Sequence, residues 1–487
     1  VSPFYKSPMK DFGYDVTDYR AIDPMFGTME DFDRMMQRAN ELGLKLMIDQ
    51  VFSHTSDQHP WFKESRSSRD NPKADWFVWA DWKQDGLPPN NWLSVFGGSA
   101  WQWDTGRCQY YMHNFLASQP DLNFHNEEVQ DQILEVGKFW LDRGVQGFRL
   151  DTSNFYFHDK ELRDNPPWGE RPRTDGTVAL NNPYSRQKHI YDKTRPENLG
   201  FLRRLRALLD QYPDTTMVGE IGSDNPFDTI AEYTSGGDKL HMAYLFNLLS
   251  PEFSARHIRD VVETLEARIG DGWPCWSFSN HDVVRVMTRW GGANPPEDLA
   301  KVLLALLLSM RGTICIYQGE ELGLTEADIP FEKLQDPYGI AFWPVFKGRD
   351  GCRTPMPWTA GEKFGGFSTA EPWLPVPEEH LQRAVDIQEA NPASVLNTLR
   401  RFLAWRKGHP ALVTGSIHFL DAPEPIVAFT RDHETESLLA AFNLSGATVS
   451  LSIPWDVAPL AGHEFAGTLS ERKVTLPPYG AFFGARK

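Results

Sequence analysis

Short, mostly apolar runs recur at residues 44–51, 144–150, 215–221 and 275–278. Strands buried on both faces have this character, because neither face has to meet solvent. Between them, residues 129–143 and 198–212 carry apolar side chains at helical spacing. Such alternation of strand and helix predicts a parallel sheet, closed into a barrel or doubly wound. The pattern changes near residue 408. A helix from about 392 to 407 meets a stop at Gly408 and Pro410, and short alternating strands at 426–430, 437–443 and 448–453 follow. That predicts a small antiparallel C-terminal domain.

Four of the apolar runs lead into acids: Asp49 after Met47-Ile48, with His54 close behind; Asp151 after Gly147-Phe148-Arg149-Leu150; Glu220 after Met217-Val218-Gly219; and Asp282 after Phe278-Ser279-Asn280-His281. A (β/α)₈ barrel gathers the carboxyl ends of its strands on one face, so acids far apart in sequence converge there. Carboxylates and histidines brought together in this way predict cleavage of a glycosidic bond. Side chains two apart on a strand share a face, so Arg149 is expected beside Asp151 and is expected to keep it ionised.

The 487 residues, 41% hydrophobic and 13% aromatic, suit a large globular barrel with appendages. A net charge of −17 argues against nucleic acid as a partner. Cys108, Cys275, Cys315 and Cys352 are widely spaced and form no disulfide framework, which points to a reducing, cytoplasmic setting. Cys275 and Cys315 sit in apolar runs and read as small core residues. No run of eighteen or more apolar residues exists, so no membrane span is expected. The longest interruption, 54–114, is rich in Pro, Gly, Asn and Trp and reads as an insertion after a strand; 164–184 and 319–389 are further irregular stretches that could cover a substrate. The chain opens on Val1-Ser2-Pro3, which reads as the end of a strand. The first strand and helix of a barrel, about 50 residues at the usual size of such a unit, are expected upstream. Their absence would leave the barrel open, with exposed edges that lower its stability and leave the fragment inactive.

With these residues in view, the chain resembles glycoside hydrolase family 13, the α-amylase family, in its α-glucosidase and oligo-1,6-glucosidase branch. The four acidic segments look like the family's signature regions. Gln119-Pro120-Asp121-Leu122-Asn123, Gln318-Gly319-Glu320-Glu321-Leu322-Gly323 and Arg349-Asp350-Gly351-Cys352-Arg353-Thr354-Pro355-Met356-Pro357-Trp358 look like branch motifs. The resemblance implies a (β/α)₈ barrel over 1–53 and 115–408, an inserted domain over 54–114 and a C-terminal β-sandwich over 409–487. It also implies Asp151 as nucleophile, Glu220 as general acid/base and Asp282 as third carboxylate. His54 and His281 match histidines that contact sugar hydroxyls. Asp11 and Arg349 resemble the pair that grips the non-reducing end, with Tyr14 stacking on the same sugar and Phe96 and Phe115 as apolar walls. Thr152, after the nucleophile, resembles the residue found in members preferring α-1,4 bonds, where α-1,6-preferring members tend to carry valine. Ser53 departs from the asparagine usual before the first-region histidine, which weakens any case for calcium at the site.

The implied activity is a retaining exo-α-glucosidase acting on maltose and other short α-glucosides, with transglucosylation possible and no cofactor. A structural calcium or magnesium ion, if there is one, would belong to the upstream segment. Oligo-1,6-glucosidase, sucrose hydrolase and sucrose isomerase share the same site and are the close alternatives. A non-catalytic scaffold resembling the ectodomains of amino-acid transporter heavy chains is the alternative of another class. The expected partner is a small oligosaccharide, and the oligomeric state, monomer or dimer, stays open.

Overall fold

The computed structural model describes residues 1–169, 177–179 and 181–486. Contacts divide the chain into two compact units: one holds most of Val1–Leu245 together with Ile269–Trp273, the other holds Thr177, Phe246–Arg268 and the chain from Pro274 onward.

The first unit opens with an antiparallel pair, β1 (Tyr5–Lys6) and β2 (Asp18–Ile22). Helix α1 (Met29–Glu41) follows, its start fixed by a reciprocal cap between Thr28 and Asp31. Then come β3 (Met47–Gln50), α2 (Pro60–Ser65), and the strands β4 (Trp79–Ala80), β5 (Trp101–Asp104) and β6 (Gln109–Met112). These last three form an antiparallel sheet within the expected insertion, backed by buried Trp92, Trp101 and Met112. Next are α3 (Glu127–Asp142), β7 (Gly147–Leu150), α4 (Asn198–Leu209), β8 (Thr216–Glu220), α5 (Pro226–Thr234) and β9 (Met242–Tyr244). Strands β3, β7, β8 and β9 are parallel and neighbour one another in that order. Val1 runs beside β3: its amino group donates to the Met47 carbonyl at 2.8 Å, and its carbonyl accepts from the Asp49 N–H at 3.0 Å.

The register explains the site. Asp49 lies opposite Arg149, Leu150 opposite Gly219, and Glu220 opposite Tyr244, so functional side chains line up at successive strand ends. Gly219 is required there. A Cβ at this position would stand 2.5 Å from Leu240 Cδ1 and 2.8 Å from Ser153 Oγ.

The second unit holds most of α6 (Ala255–Ile269), then β10 (Pro274–Trp276), α7 (Val286–Gly291), the apolar α8 (Glu297–Ser309) and β11 (Thr313–Ile314), parallel to β10. The stretch 319–389 contains only short helical turns, including α9 (Pro337–Phe342), α10 (Glu378–Leu381) and α11 (Val385–Ala390). Helix α12 (Val395–Lys407) and short α13 (Pro410–Thr414) precede the terminal β region. That region comprises β12 (Ser416–Phe419), β13 (Ile426–His433), β14 (Glu436–Asn443), β15 (Val449–Ser452), β16 (Val457–Pro459), β17 (Thr468–Ser470), β18 (Lys473–Leu476) and β19 (Ala481–Arg486). A sheet ordered β12-β13-β14-β19-β16 packs on a second, β15-β18-β17, through Ile426, Leu439, Leu451, Val474 and Phe482.

Three expectations are corrected. The run from residue 44 is not buried throughout: Leu44 is 59% exposed and β3 begins only at Met47. Helix α12 starts at Val395 rather than near residue 392, because the Ser394 side chain accepts from the Asn397 N–H and sets the cap there. Cys275 is buried as expected, but Cys315 is exposed. The neighbouring β11 is itself only half-buried, so the end of this run does not lie in a packed core.

Candidate active site

Arg149 organises the first unit's part of the site. Its Nη1 donates to Asp49 Oδ1 at 2.9 Å and to Asp151 Oδ1 at 2.7 Å, and its Nη2 donates to Glu220 Oε2 at 2.6 Å and to the Tyr244 hydroxyl at 2.9 Å. Four consecutive parallel strands therefore meet on one guanidinium. Its planar fork can serve several acceptors at once, which a lysine ammonium could not do in the same geometry. Asp49, Asp151 and Glu220 are all buried.

One cation faces three carboxylates, so the charge on Asp151 is set by the whole cluster and not by Arg149 alone. Burial raises its pKa well above the ordinary carboxylate range; Arg149 opposes that, while Glu220 and Asp49 add to the rise. The cluster therefore favours keeping a proton.

The backbone just past Asp151 turns sharply. Thr152 has φ +41°, an uncommon conformation for a β-branched residue and a store of strain. The turn folds back on β8: the Thr152 N–H donates to Glu220 Oε2 at 3.1 Å, and the Ser153 N–H donates to the Glu220 carbonyl at 2.9 Å. Thr152 Oγ1 also donates to Asp151 Oδ2 at 3.3 Å. The strained turn thus ties both carboxylates to one short segment.

His54 follows β3 and is 1% exposed. Its Nδ1 lies 2.8 Å from Ser53 Oγ and its Nε2 lies 2.8 Å from the Tyr14 carbonyl. Burial brings its pKa down to about 4, so the imidazole is neutral at neutral pH. The Tyr14 hydroxyl donates to Asp49 Oδ2 at 2.8 Å. Gln119 Nε2 donates to Asp11 Oδ2 at 3.0 Å and to the Tyr14 carbonyl at 3.2 Å. The Phe115 ring packs on His54, Phe96 and Phe155 with centroids 5.3, 5.7 and 5.6 Å away. All first-unit candidates therefore gather around His54 and Arg149. Gln119, Tyr244 and Phe155 join them without having been singled out as site residues. Gln119 lay inside a motif already noted, and its amide was the available signal.

In the second unit, β10 leads to His281 and Asp282. His281 Nε2 lies 3.3 Å from Asp282 Oδ2. Asp282 Oδ1 accepts from Arg353 Nη2 at 2.9 Å and from Arg349 Nη1 at 3.2 Å. Fully buried Asp336 holds Arg349 from the other side, accepting from its Nε at 3.1 Å, its Nη2 at 2.8 Å and its backbone N–H at 2.7 Å. Burial works to raise the Asp336 pKa, but the Arg349 guanidinium brings it below the ordinary value. Asp336 is a further residue that the sequence reading did not name, and Arg353 was quoted only within a branch motif, with no role given to it. Among the described residues, no group of three or more His, Cys, Asp or Glu side chains is placed to hold a metal ion. No helix among them is long and apolar enough to cross a membrane.

Parallel strands whose ends bring Asp49, Asp151 and Glu220 onto one guanidinium fit a glycoside-hydrolase barrel. Residues 1–415 match the alpha-amylase catalytic domain, and the chain belongs to that family, glycoside hydrolase family 13, whose fold is a (β/α)₈ barrel. It is 56% identical over 487 residues to a probable alpha-glucosidase of Rhizobium meliloti (strain 1021), covering 99% of this chain and 88% of that protein. It is 35% identical over 515 residues to an oligo-1,6-glucosidase of Heyndrickxia coagulans, covering 96% and 88%. Among solved structures, an alpha-glucosyl transfer enzyme superposes with a TM-score of 0.98 at 54% identity, covering 100% of this chain and 91% of that one. The chain is a glycoside hydrolase of α-glucosides.

Proposed function

We propose that the protein is a retaining, exo-acting α-glucosidase with a preference for α-1,4 bonds in maltose-sized substrates, and that it also transfers glucose to acceptor hydroxyls. The observation that carries this reading is the shared guanidinium. Arg149 binds Asp151 and Glu220 together at adjacent strand ends, buried, in a cluster that favours keeping a proton.

Asp151 acts as nucleophile on the anomeric carbon while Glu220 delivers a proton to the departing glycosidic oxygen. Glu220 then removes a proton from water, or from an acceptor hydroxyl, as that oxygen displaces Asp151 and restores the original anomeric configuration. The reaction needs one proton on the pair, on Glu220, and a neutral substrate leaves the cluster's charge unchanged. Arg149 stabilises Asp151 as it regains charge during breakdown of the intermediate. His54 is assigned to the sugar hydroxyls by its motif, and its imidazole, neutral and tied to Ser53 and Tyr14, is held in a fixed orientation. Asp282 is assigned the third carboxylate by its motif, and Asp11 and Arg349 the grip on the terminal glucose.

Thr152 supports the linkage preference, because its backbone N–H meets Glu220 and its hydroxyl meets Asp151, so its side-chain shape acts directly beside the two carboxylates. Transfer is supported by the 54% identity to an alpha-glucosyl transfer enzyme. A mutant isomaltulose synthase of Erwinia rhapontici NX5, solved with sucrose, is 30% identical at TM-score 0.89, which keeps sucrose isomerisation as the second reading. The four free cysteines support a reducing, cytoplasmic setting. Product analysis by NMR on maltose, isomaltose and sucrose tests all of this. First-formed α-glucose and faster cleavage of maltose are expected; β-glucose as first product overturns the mechanism, and isomaltulose from sucrose installs the second reading.

A further inference from the structure

A cleft of about 310 Å³ lies in the first unit between β2, the start of α2 and α3. Its lining includes Asp18, Tyr19 and Arg20 from β2, His59 and Trp61 at the start of α2, and Gln132 of α3. None of these residues takes part in the reaction described above.

The cleft is aromatic on one side. Trp61 lies 4.4 Å from the His59 ring and 5.9 Å from the Tyr19 ring, and it meets Trp76 edge-on at 5.3 Å. The Tyr19 hydroxyl donates to the carbonyls of Val51 and His54 at 2.9 and 2.7 Å, so Tyr19 offers the cleft only its ring.

The polar atoms are the decisive feature. His59 is only 4% exposed, yet only one of its ring nitrogens is engaged: Nδ1 accepts the Trp61 N–H at 3.1 Å. The ring proton is then on Nε2, a donor with no partner among the described residues. Burial holds the His59 pKa near 3, so this donor carries no charge at neutral pH. Trp61 Nε1, the Gln132 amide and the Arg20 guanidinium also lack side-chain hydrogen-bond partners among the described residues. Asp18 uses Oδ1 to accept the Arg20 N–H at 2.9 Å and keeps Oδ2 available.

Donors and acceptors around an aromatic face, with one carboxylate and one guanidinium balancing in charge, match a particular ligand. A pyranose ring presents axial C–H groups to an aromatic face and hydroxyls, each both donor and acceptor, around its rim. An anion would meet Asp18, and a cation would meet Arg20. The volume lies at the small end of ligand sites and suits one or two sugar rings.

We propose that this cleft is a second carbohydrate site, separate from the catalytic residues, which binds one glucosyl unit of a neutral oligosaccharide with its ring against Trp61 and its hydroxyls on His59, Gln132, Arg20 and Asp18. The choice of glucose rests on the α-glucosidase reading; the cleft's preference for a neutral sugar does not.

The test uses maltose as probe and Asp151→Asn protein, in which hydrolysis is disabled. Crystals soaked in maltose are expected to show a sugar ring against Trp61. In solution, saturation-transfer NMR is expected to detect maltose even when the catalytic pocket is filled by an iminosugar inhibitor, and that signal is expected to fall about fivefold or more in Trp61→Ala. Because loss of Trp61 could disturb α2, the paired changes at exposed Arg20 and half-buried Gln132, Arg20→Ala and Gln132→Ala, provide the second variant, checked for an unchanged melting temperature. Loss of the maltose signal on filling the catalytic pocket, or its persistence in the folded Arg20→Ala/Gln132→Ala protein, overturns the proposal. Neither result bears on Asp151 and Glu220, whose roles are read from products.

Discussion

Arg149 Nη2 donates to Glu220 Oε2 at 2.6 Å, while Nη1 of the same side chain holds Asp49 and Asp151. Removing the guanidinium leaves three buried carboxylates without a cation. Arg149→Ala is expected to lower kcat by about 10³-fold or more, the scale for losing preorganised electrostatic support. It is also expected to cost about 3–5 kcal/mol of stability, as when one partner of a buried ion pair is removed. Arg149→Lys keeps the charge but not the fork and should fall between. Steady-state kinetics on an aryl glucoside, together with denaturant melts, check both; an Arg149→Ala protein with kcat near wild type would refute the shared-cation account.

Thr152 gives a subtler prediction. Its φ of +41° is equally demanding for valine, so Thr152→Val changes the side chain without a new backbone penalty. The change exchanges the hydroxyl 3.3 Å from Asp151 Oδ2 for a methyl. The ratio of kcat/KM for isomaltose over maltose is expected to rise about tenfold, the scale of one altered group in a substrate pocket. An unchanged ratio would remove Thr152 from the specificity argument.

The acids of this site were legible because each ends an apolar strand run, and a period of two places Arg149 beside Asp151 without any structure. Their ionisation was not. The sequence displays the neighbouring arginine but not the depth of burial, and burial is the larger influence on Asp151. Tyr244 was missed because the short β9 carries no motif, only a parallel neighbour whose register puts Glu220 opposite it. Asp336 escaped for a different reason: it lies in a stretch of short turns with no period, where the contact with Arg349 depends on loop folding alone. The same holds for the cleft at Trp61, built from three elements that no local pattern joins.

Two acids outside the site, one buried and one half-buried, should govern stability at alkaline pH. Burial raises Glu320 to about 8 and Glu326 to about 7, with Arg285 and Arg289 opposing and Glu321 adding to the Glu320 shift. In the unfolded chain these carboxyls ionise near their ordinary value, so above it the native state binds more protons and stability falls as pH rises. The contribution is full below about pH 4.3 and is lost as pH passes through the two raised values, each group accounting for a few kcal/mol on the order-of-magnitude scale. Melting temperatures from pH 5 to 9 should decline, and Glu320→Gln with Glu326→Gln should flatten the decline. A slope that survives both substitutions would assign it to other groups.

Asp336 supports Arg349 from below, with three hydrogen bonds to a fully buried carboxylate. Its depressed pKa means that the ionised form is the one the fold requires, so its stabilising contribution is present above the ordinary carboxylate pKa and is lost as pH falls through the lower folded value. Asp336→Ala strands the guanidinium and is expected to cost about 3–5 kcal/mol. Asp336→Asn keeps the shape but loses the charge and turns one of the two accepting oxygens into a donor, and should melt between Asp336→Ala and wild type. If Arg349 grips the terminal sugar, Asp336→Asn should raise KM for maltose more than it lowers kcat, because a loosened Arg349 weakens ground-state and transition-state binding alike. A fall in kcat with unchanged KM would instead place Arg349 in the chemical step, acting on Asp282, whose Oδ1 already accepts from it at 3.2 Å.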